Sequence, residues 1–249
     1  MNNMIVSFVE TEELDSLLLD INNTQTLIQI FCANNNLEEI KQIQNYFSTN
    51  FPLANIIGST TDGFVKSNVI EYKTCHAAMI TQFEKTNITT TLVLHENFND
   101  KSFLSGKSIA KKLIKKNTKA IICFSDGLYT NGEELLNGIA SINDKVVVAG
   151  GMAGDNGQFQ HTYVFDNQTI TENGVVGVSL DSDDLYIYTD YSFYWQPIGK
   201  SLMVTKAVKN RVYEIDAMSC VDIYSKYLGK DMAKKLPESG MQKSVTLEH

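Results

Sequence analysis

The sequence predicts a mixed α/β fold, in which parallel βαβ units and antiparallel hairpins share a sheet layered with helices. Three observations predict it. Apolar strand-like runs alternate with helical patterns up to Gly58, a middle stretch reads as consecutive short strands, and the chain after Gly150 is again strand-rich. Near-continuous apolar strands belong in sheets covered on both faces, whereas strands joined by short turns favour antiparallel pairing.

Taken in order, Met4-Ile-Val-Ser-Phe-Val reads as strand and residues 12–21 as helix. Thr26-Leu-Ile-Gln-Ile-Phe-Cys-Ala is a second strand. Asn36 suits the N-cap of a helix running through Phe47, with Ile40, Ile43 and Phe47 on one face. Pro52 stops that helix, and Ala54-Asn-Ile-Ile-Gly is the third strand. Residues 64–72, 76–84 and 89–95 follow as strands that short turns would fold into hairpins. Alternation then returns, with helix over 102–116, strand over 120–124, helix over 133–142 and strand over 146–149. The strands ending at Gly58, Phe124 and Ala149 are expected in one central sheet. Further on, Tyr163-Val-Phe and Val175-Val-Gly-Val-Ser-Leu flank a turn at Asp166-Asn167; strands over 185–194 and 202–213 and a helix over 221–228 complete the chain. No Pro- or Gly-rich linker divides it, so residues 1–215 are expected to form one unit and residues 216–246 to open a second segment. Leu247-Glu248-His249 reads as a tag remnant, and the natural chain is expected to continue past residue 246.

Composition narrows function. With 249 residues, 43% of them hydrophobic, the chain can build a full core. A net charge of −8 argues against nucleic acid and against anionic lipid, both of which call for a basic face. No apolar run approaches the ~20 residues that cross a bilayer, and Met1-Asn-Asn-Met-Ile-Val lacks the basic start of a signal peptide. Cys32, Cys75, Cys123 and Cys220 are scattered, which speaks against disulfides and a zinc site and for the reducing cytoplasm.

Motifs for catalysis or cofactors are weak, and no cofactor or metal is expected. Gly106-Lys107-Ser108 looks like a phosphate loop opening a helix, but Lys101 stands where that loop needs a glycine. Lys111, Lys112, Lys115 and Lys116 read as a solvated helix face. His76, His95 and His161 share no ligand spacing, and His76 and His95 are expected to be hydrogen-bonded within strands rather than catalytic.

Three strand ends carry more. Gly58-Ser59-Thr60, Asp126-Gly127 and Gly150-Gly151-Met152-Ala153-Gly154-Asp155 each follow an apolar strand with small residues and acids. In open α/β sheets ligands sit at the carboxyl ends of strands, where glycine admits a close backbone approach. Gly58, Ser59, Thr60, Asp126, Gly127, Gly150, Gly151, Ala153, Gly154 and Asp155 are therefore expected to line one pocket. Backbone amides would hold a carboxylate, Asp126 or Asp155 an amino or hydroxyl group, and Gly151 would be needed where the backbone comes close. Read as tight turns instead, the same segments have Asp as a helix cap.

The order Ile56-Ile-Gly-Ser-Thr-Thr-Asp-Gly, Phe124-Ser-Asp-Gly-Leu-Tyr-Thr-Asn-Gly-Glu-Glu-Leu-Leu, Val148-Ala-Gly-Gly-Met-Ala-Gly-Asp, then Thr162-Tyr-Val-Phe and Gly174-Val-Val-Gly-Val-Ser-Leu resembles the FIST N-terminal sensory domain. Gln196-Pro-Ile-Gly and Leu202-Met-Val-Thr-Lys-Ala continue the likeness, which spans roughly residues 28–209. Asp216-Ala-Met-Ser-Cys-Val-Asp-Ile-Tyr-Ser-Lys-Tyr-Leu is similar to the opening of the companion FIST C-terminal domain, although Ser219-Cys220 stands where relatives often have Pro-Ala. The resemblance implies a bacterial signalling input domain rather than an enzyme, with a small ligand such as an amino acid and an output module of kinase, chemotaxis or cyclic-dinucleotide type. The alternative is an enzyme that acts on a small metabolite through Asp126, Asp155 or His161.

Overall fold

The computed structural model describes residues 1–14, 21–66, 69–71, 75–95, 101–190, 196, 199–208 and 211–230. Its contacts divide the chain into two compact units, Met1–Thr189 and Asp190–His249.

The first unit runs β1 (Asn2–Phe8), a 3₁₀ turn (Thr11–Leu14), β2 (Thr26–Cys32), α1 (Leu37–Asn50), β3 (Asn55–Thr60), β4 (Phe64–Lys66), β5 (Val69–Glu71), β6 (His76–Gln82) and β7 (Asn87–Leu94). It continues with α2 (Lys101–Leu113), β8 (Thr118–Ser125), α3 (Gly132–Ala140), β9 (Val147–Met152), β10 (Val164–Asp166), β11 (Ile170–Thr171) and β12 (Gly174–Asp181).

Most of these strands fall in two sheets, ordered β1-β6-β2-β3-β10-β11 and β7-β12-β8-β9. Each contains one parallel pair, β2 with β3 and β8 with β9; the other pairings are antiparallel. The sheets face one another across a shared layer that includes Leu27, Ile57 and Val164 from the first and Phe124, Val176 and Val178 from the second. Alternate residues point the other way. Ile28, Ile30 and Ile56 pack beneath Ile40, Ile43 and Phe47 of α1, while Ile121, Cys123 and Val175 pack beneath Ile109 and Leu113 of α2 and Leu135 and Ile139 of α3. The result is a layered sandwich of helix, sheet, sheet and helices.

This corrects the expectation of one central sheet: β3 lies in one sheet, and β8 and β9 in the other. A strand buried on both faces has the same continuous apolar pattern whether a helix or a second sheet covers it, so the pattern cannot count sheets. The short link from β6 to β7 likewise crosses between sheets instead of turning a hairpin. Of residues 64–72, β4 and β5 form a small hairpin of their own.

Asn36 caps α1 as expected, its side chain accepting from Glu38 N at 3.1 Å. Gly106, by contrast, lies inside α2 rather than at its start; a β-carbon there would stand 2.1 Å from the Leu135 carbonyl oxygen, so this glycine serves the close approach of α2 to α3. The helix expected over 12–21 appears in its described part as the 3₁₀ turn, and residues 15–20 lie outside the described residues. Residues 185–190 of the strand expected over 185–194 have no regular structure, and residues 191–194 lie outside the described residues.

The second unit contains β13 (Val204–Val208), β14 (Arg211–Ile215), β15 (Met218–Ser219) and α4 (Cys220–Leu228). The single strand expected over 202–213 is thus the hairpin β13–β14. Residues 231–249 lie outside the described residues.

Candidate functional site

The carboxyl ends of β2, β3, β8 and β9 meet in a crown of loops. Thr60, the last residue of β3, is fastened on several sides. Its N–H donates to the Tyr163 carbonyl at 2.9 Å, its hydroxyl accepts from Tyr163 N at 3.1 Å, and its carbonyl accepts from Gly154 N at 3.1 Å. Ala153 N donates to the Ser125 carbonyl at 2.8 Å, and Gly127 N to Thr162 Oγ1 at 2.9 Å. Asn156 ties the same loop to the first sheet: its N–H donates to Asp62 Oδ1 at 2.6 Å and its side-chain amide to the Ala33 carbonyl at 3.0 Å.

Thr60, Gly127, Ala153 and Gly154 are thus brought together, and the glycines there are packing positions. A β-carbon on Gly127 would stand 2.0 Å from Ala153 O, and one on Gly154 2.4 Å from an Asp62 carboxylate oxygen. Gly58 sits one step back in β3 beneath the Phe165 ring, 2.1 Å from where a β-carbon would be. Ser59 is buried beside it. The N–H groups of Gly127, Ala153 and Gly154, offered by the sequence reading to a carboxylate, donate to protein oxygens.

Asp126 and Asp155 turn away from this junction. Asp155 faces its own loop. Its Oδ1 accepts from Gln158 N and Phe159 N, both at 3.0 Å, and its Oδ2 from Gln160 N at 2.7 Å and His161 N at 3.3 Å. Burial alone would raise its pKa, but these four donors outweigh it and hold the carboxyl below its ordinary range. In the same loop Asn156 and Phe159 have φ of 60° and 55°, a region that non-glycine residues seldom occupy. His161, a candidate of the enzyme reading, is exposed and lies 3.2 Å from Glu172.

Asp126 is fully buried. Its Oδ1 accepts from the N–H groups of Leu128, Tyr129 and Thr130, and its Oδ2 from the Thr130 hydroxyl at 2.8 Å and His95 Nε2 at 2.9 Å. Desolvation pushes its pKa up; the bonds from His95, Thr130 and Tyr129 overcome that and leave it below the ordinary value. His95 Nδ1 lies 2.8 Å from Ser105 Oγ of α2, so one imidazole joins the end of β7, the end of β8 and the helix over them. Spacing in the chain offers no link between Asp126 and His95, which stand 31 positions apart, or between either and Ser105, so only the fold makes them partners.

Gly150 and Gly151 belong to neither group. Both were expected in a loop, yet both continue β9, the edge strand of the second sheet. The glycine requirement falls on Gly150 rather than Gly151. Gly150 has φ +142°, and a β-carbon there would stand 1.8 Å from Cys123 O; around Gly151 nothing lies within 4 Å. Beside them a cleft of about 250 Å³ opens between β9 and α3, reaching Ser125 and Leu136.

Sheets back to back with outer helices and a crown of loops at strand ends define a layered α/β domain. The chain belongs to the FIST N domain family, whose model matches residues 26–218; this is a sensory domain family of signal-transduction proteins. A comparison with curated proteins finds no match. Among the described residues, no helix is long and apolar enough to cross a membrane, no cluster of His, Cys, Asp and Glu is fit to hold a metal ion, and all four cysteines are free.

Proposed function

We propose that this chain is the small-molecule-sensing input module of a bacterial, cytoplasmic signalling protein, with an amino acid as its ligand and a kinase, chemotaxis or cyclic-dinucleotide module as its output. The observation that carries this reading is the convergence of Thr60, Gly127, Ala153 and Gly154 in one crown. Through these bonds, a ligand that moved one strand end would pull on the others in both sheets. Because the amides and carboxylates there already have partners, a ligand would act by exchange. The ionised Asp155 would release Gln158–His161 and take the ligand's ammonium, and the freed N–H groups would take its carboxylate. A ligand that binds the exchanged loop better shifts the population toward it.

A thermal-shift screen against amino acids and small carboxylates tests this. A true ligand at 100 times its Kd should stabilise by about 2.7 kcal/mol. Asp155→Ala should weaken binding measured by calorimetry; a variant that melts early yet binds normally leaves Asp155 a turn residue only.

One observation favours the enzyme reading. Ser105, His95 and Asp126 are linked as a nucleophile, base and orienting acid would be. Against it, the His95 and Asp126 side chains are both 0% exposed, which leaves a substrate no approach. A fluorophosphonate probe should leave Ser105 unlabelled; labelling that Ser105→Ala abolishes would establish the enzyme reading.

A further inference from the structure

We propose that the cleft between β9 and α3 binds a small, uncharged, branched aliphatic molecule bearing one carbonyl or hydroxyl group. The inference rests on the sensory reading only in taking ligand binding as this unit's task; it concerns a different place from the crown.

The cleft lies at the carboxyl ends of the parallel strands β8 and β9 and beside Gly132, the first residue of α3. That is where α/β sheets hold ligands. At about 250 Å³ it suits a metabolite rather than a drug-sized molecule, for which ~300–1,000 Å³ is usual. Leu135, Leu136, Val148 and Met152 form its apolar wall. Ser125 is its polar point. The residue is 2% exposed, lines the cleft and lies on the helix-facing side of β8, as Cys123 does. The adjacent Asp126, Thr130, His95 and Ser105 are all paired. The Ser125 hydroxyl can both donate and accept, so a ligand carbonyl, hydroxyl or N–H that enters the cleft would find a partner there.

Charge selects the head group. Among the described residues, no Asp, Glu, Lys, Arg or His lines the cleft. The Cys123 thiol that lines it is pushed up to about 11 by burial and stays neutral. An ammonium or carboxylate would enter without a counter-charge, whereas an amide, ketone or alcohol loses little by entering.

Four compounds that share an isobutyl group isolate the head: isovaleramide (neutral), isovalerate (anion), isoamylamine (cation) and L-leucine (zwitterion). Each is titrated into the full chain labelled at methyl and amide positions and followed by NMR. Isovaleramide should shift the Leu136 and Met152 methyl signals saturably, with the two singly charged compounds at least tenfold weaker. Ser125→Ala should weaken isovaleramide by about fivefold, the value of one hydrogen bond, without lowering the melting temperature. Leu136→Gln, at a half-exposed position, should weaken all neutral binding. The inference is overturned if isovaleramide leaves the cleft methyls unmoved, if the charged compounds bind equally well, or if Ser125→Ala changes nothing. L-leucine shifting the Thr60 and Gly154 amides beside a silent cleft would sink this inference and leave the crown reading standing; isovaleramide in the cleft with no amino acid moving the crown would do the reverse.

Discussion

Two histidines, one in each sheet, do the same job in different surroundings. His76 opens β6 in the first sheet: its Nδ1 accepts from Ala33 N at 3.2 Å, and its Nε2 lies 2.6 Å from Glu39 Oε1 of α1. His95 follows β7 in the second sheet and reaches Ser105 of α2, Asp126 and Thr130. Both join strand ends to the helix that covers them. They differ in the carboxylate. The Glu39 side chain is 34% exposed, whereas that of Asp126 is 0% exposed and has five donors. Water can replace the first partner but not the second, so the two clasps should respond very differently to mutation and to acid.

The largest effect should come from Asp126→Ala, which strands a buried imidazole and three backbone N–H groups. A loss of about 3–5 kcal/mol in urea unfolding is expected; a loss below about 1 kcal/mol would put the two clasps on an equal footing. Next comes the strand beside the closed clasp. Gly150→Ala should cost about 2–3 kcal/mol, because it combines an unfavourable φ with a collision with backbone, whereas Gly151→Ala should stay within ~0.5 kcal/mol. Equal losses would mean that β9 yields at Gly150.

Acid sharpens the contrast further. Asp126 and Asp155 both have folded pKa values lowered from 3.8. A depressed folded value gives stability that is fully present above the unfolded value and lost as pH falls through the folded one. Unfolding midpoints should therefore drop below about pH 4, and Asp155→Asn should flatten that limb while costing about 1 kcal/mol at pH 7. Glu39→Gln is the mildest change. It keeps an oxygen for His76 and should cost no more than about 0.5–1 kcal/mol, reduced further by salt.

Local features were legible in the sequence because they depend on neighbours in the chain. The N-cap at Asn36 and the buried face Ile40, Ile43 and Phe47 needed only helical spacing. Strand-end glycines and acids were recognisable for the same reason, and the order of the motifs sufficed to suggest the family. What those residues do was not legible. Gly58 and Gly154 each leave room for a group distant in sequence, Phe165 and Asp62, and nothing beside them in the chain announces it. Ser125 stood out only as part of the Phe124-Ser-Asp-Gly run, since its place beside the cleft depends on what surrounds it.

Periodicity and composition by themselves determined that the chain is mixed α/β, well supplied with core residues and acidic overall. Only the tertiary structure decided that the strands divide into two sheets, that Asp126 meets His95, which in turn meets Ser105, while Asp155 faces its own loop, and that Gly150 rather than Gly151 must be glycine. The physical reason is one of range. Spacing within an element records which face is apolar, but which surface covers that face, and which donor reaches a carboxylate, is settled by contacts between residues far apart in the chain.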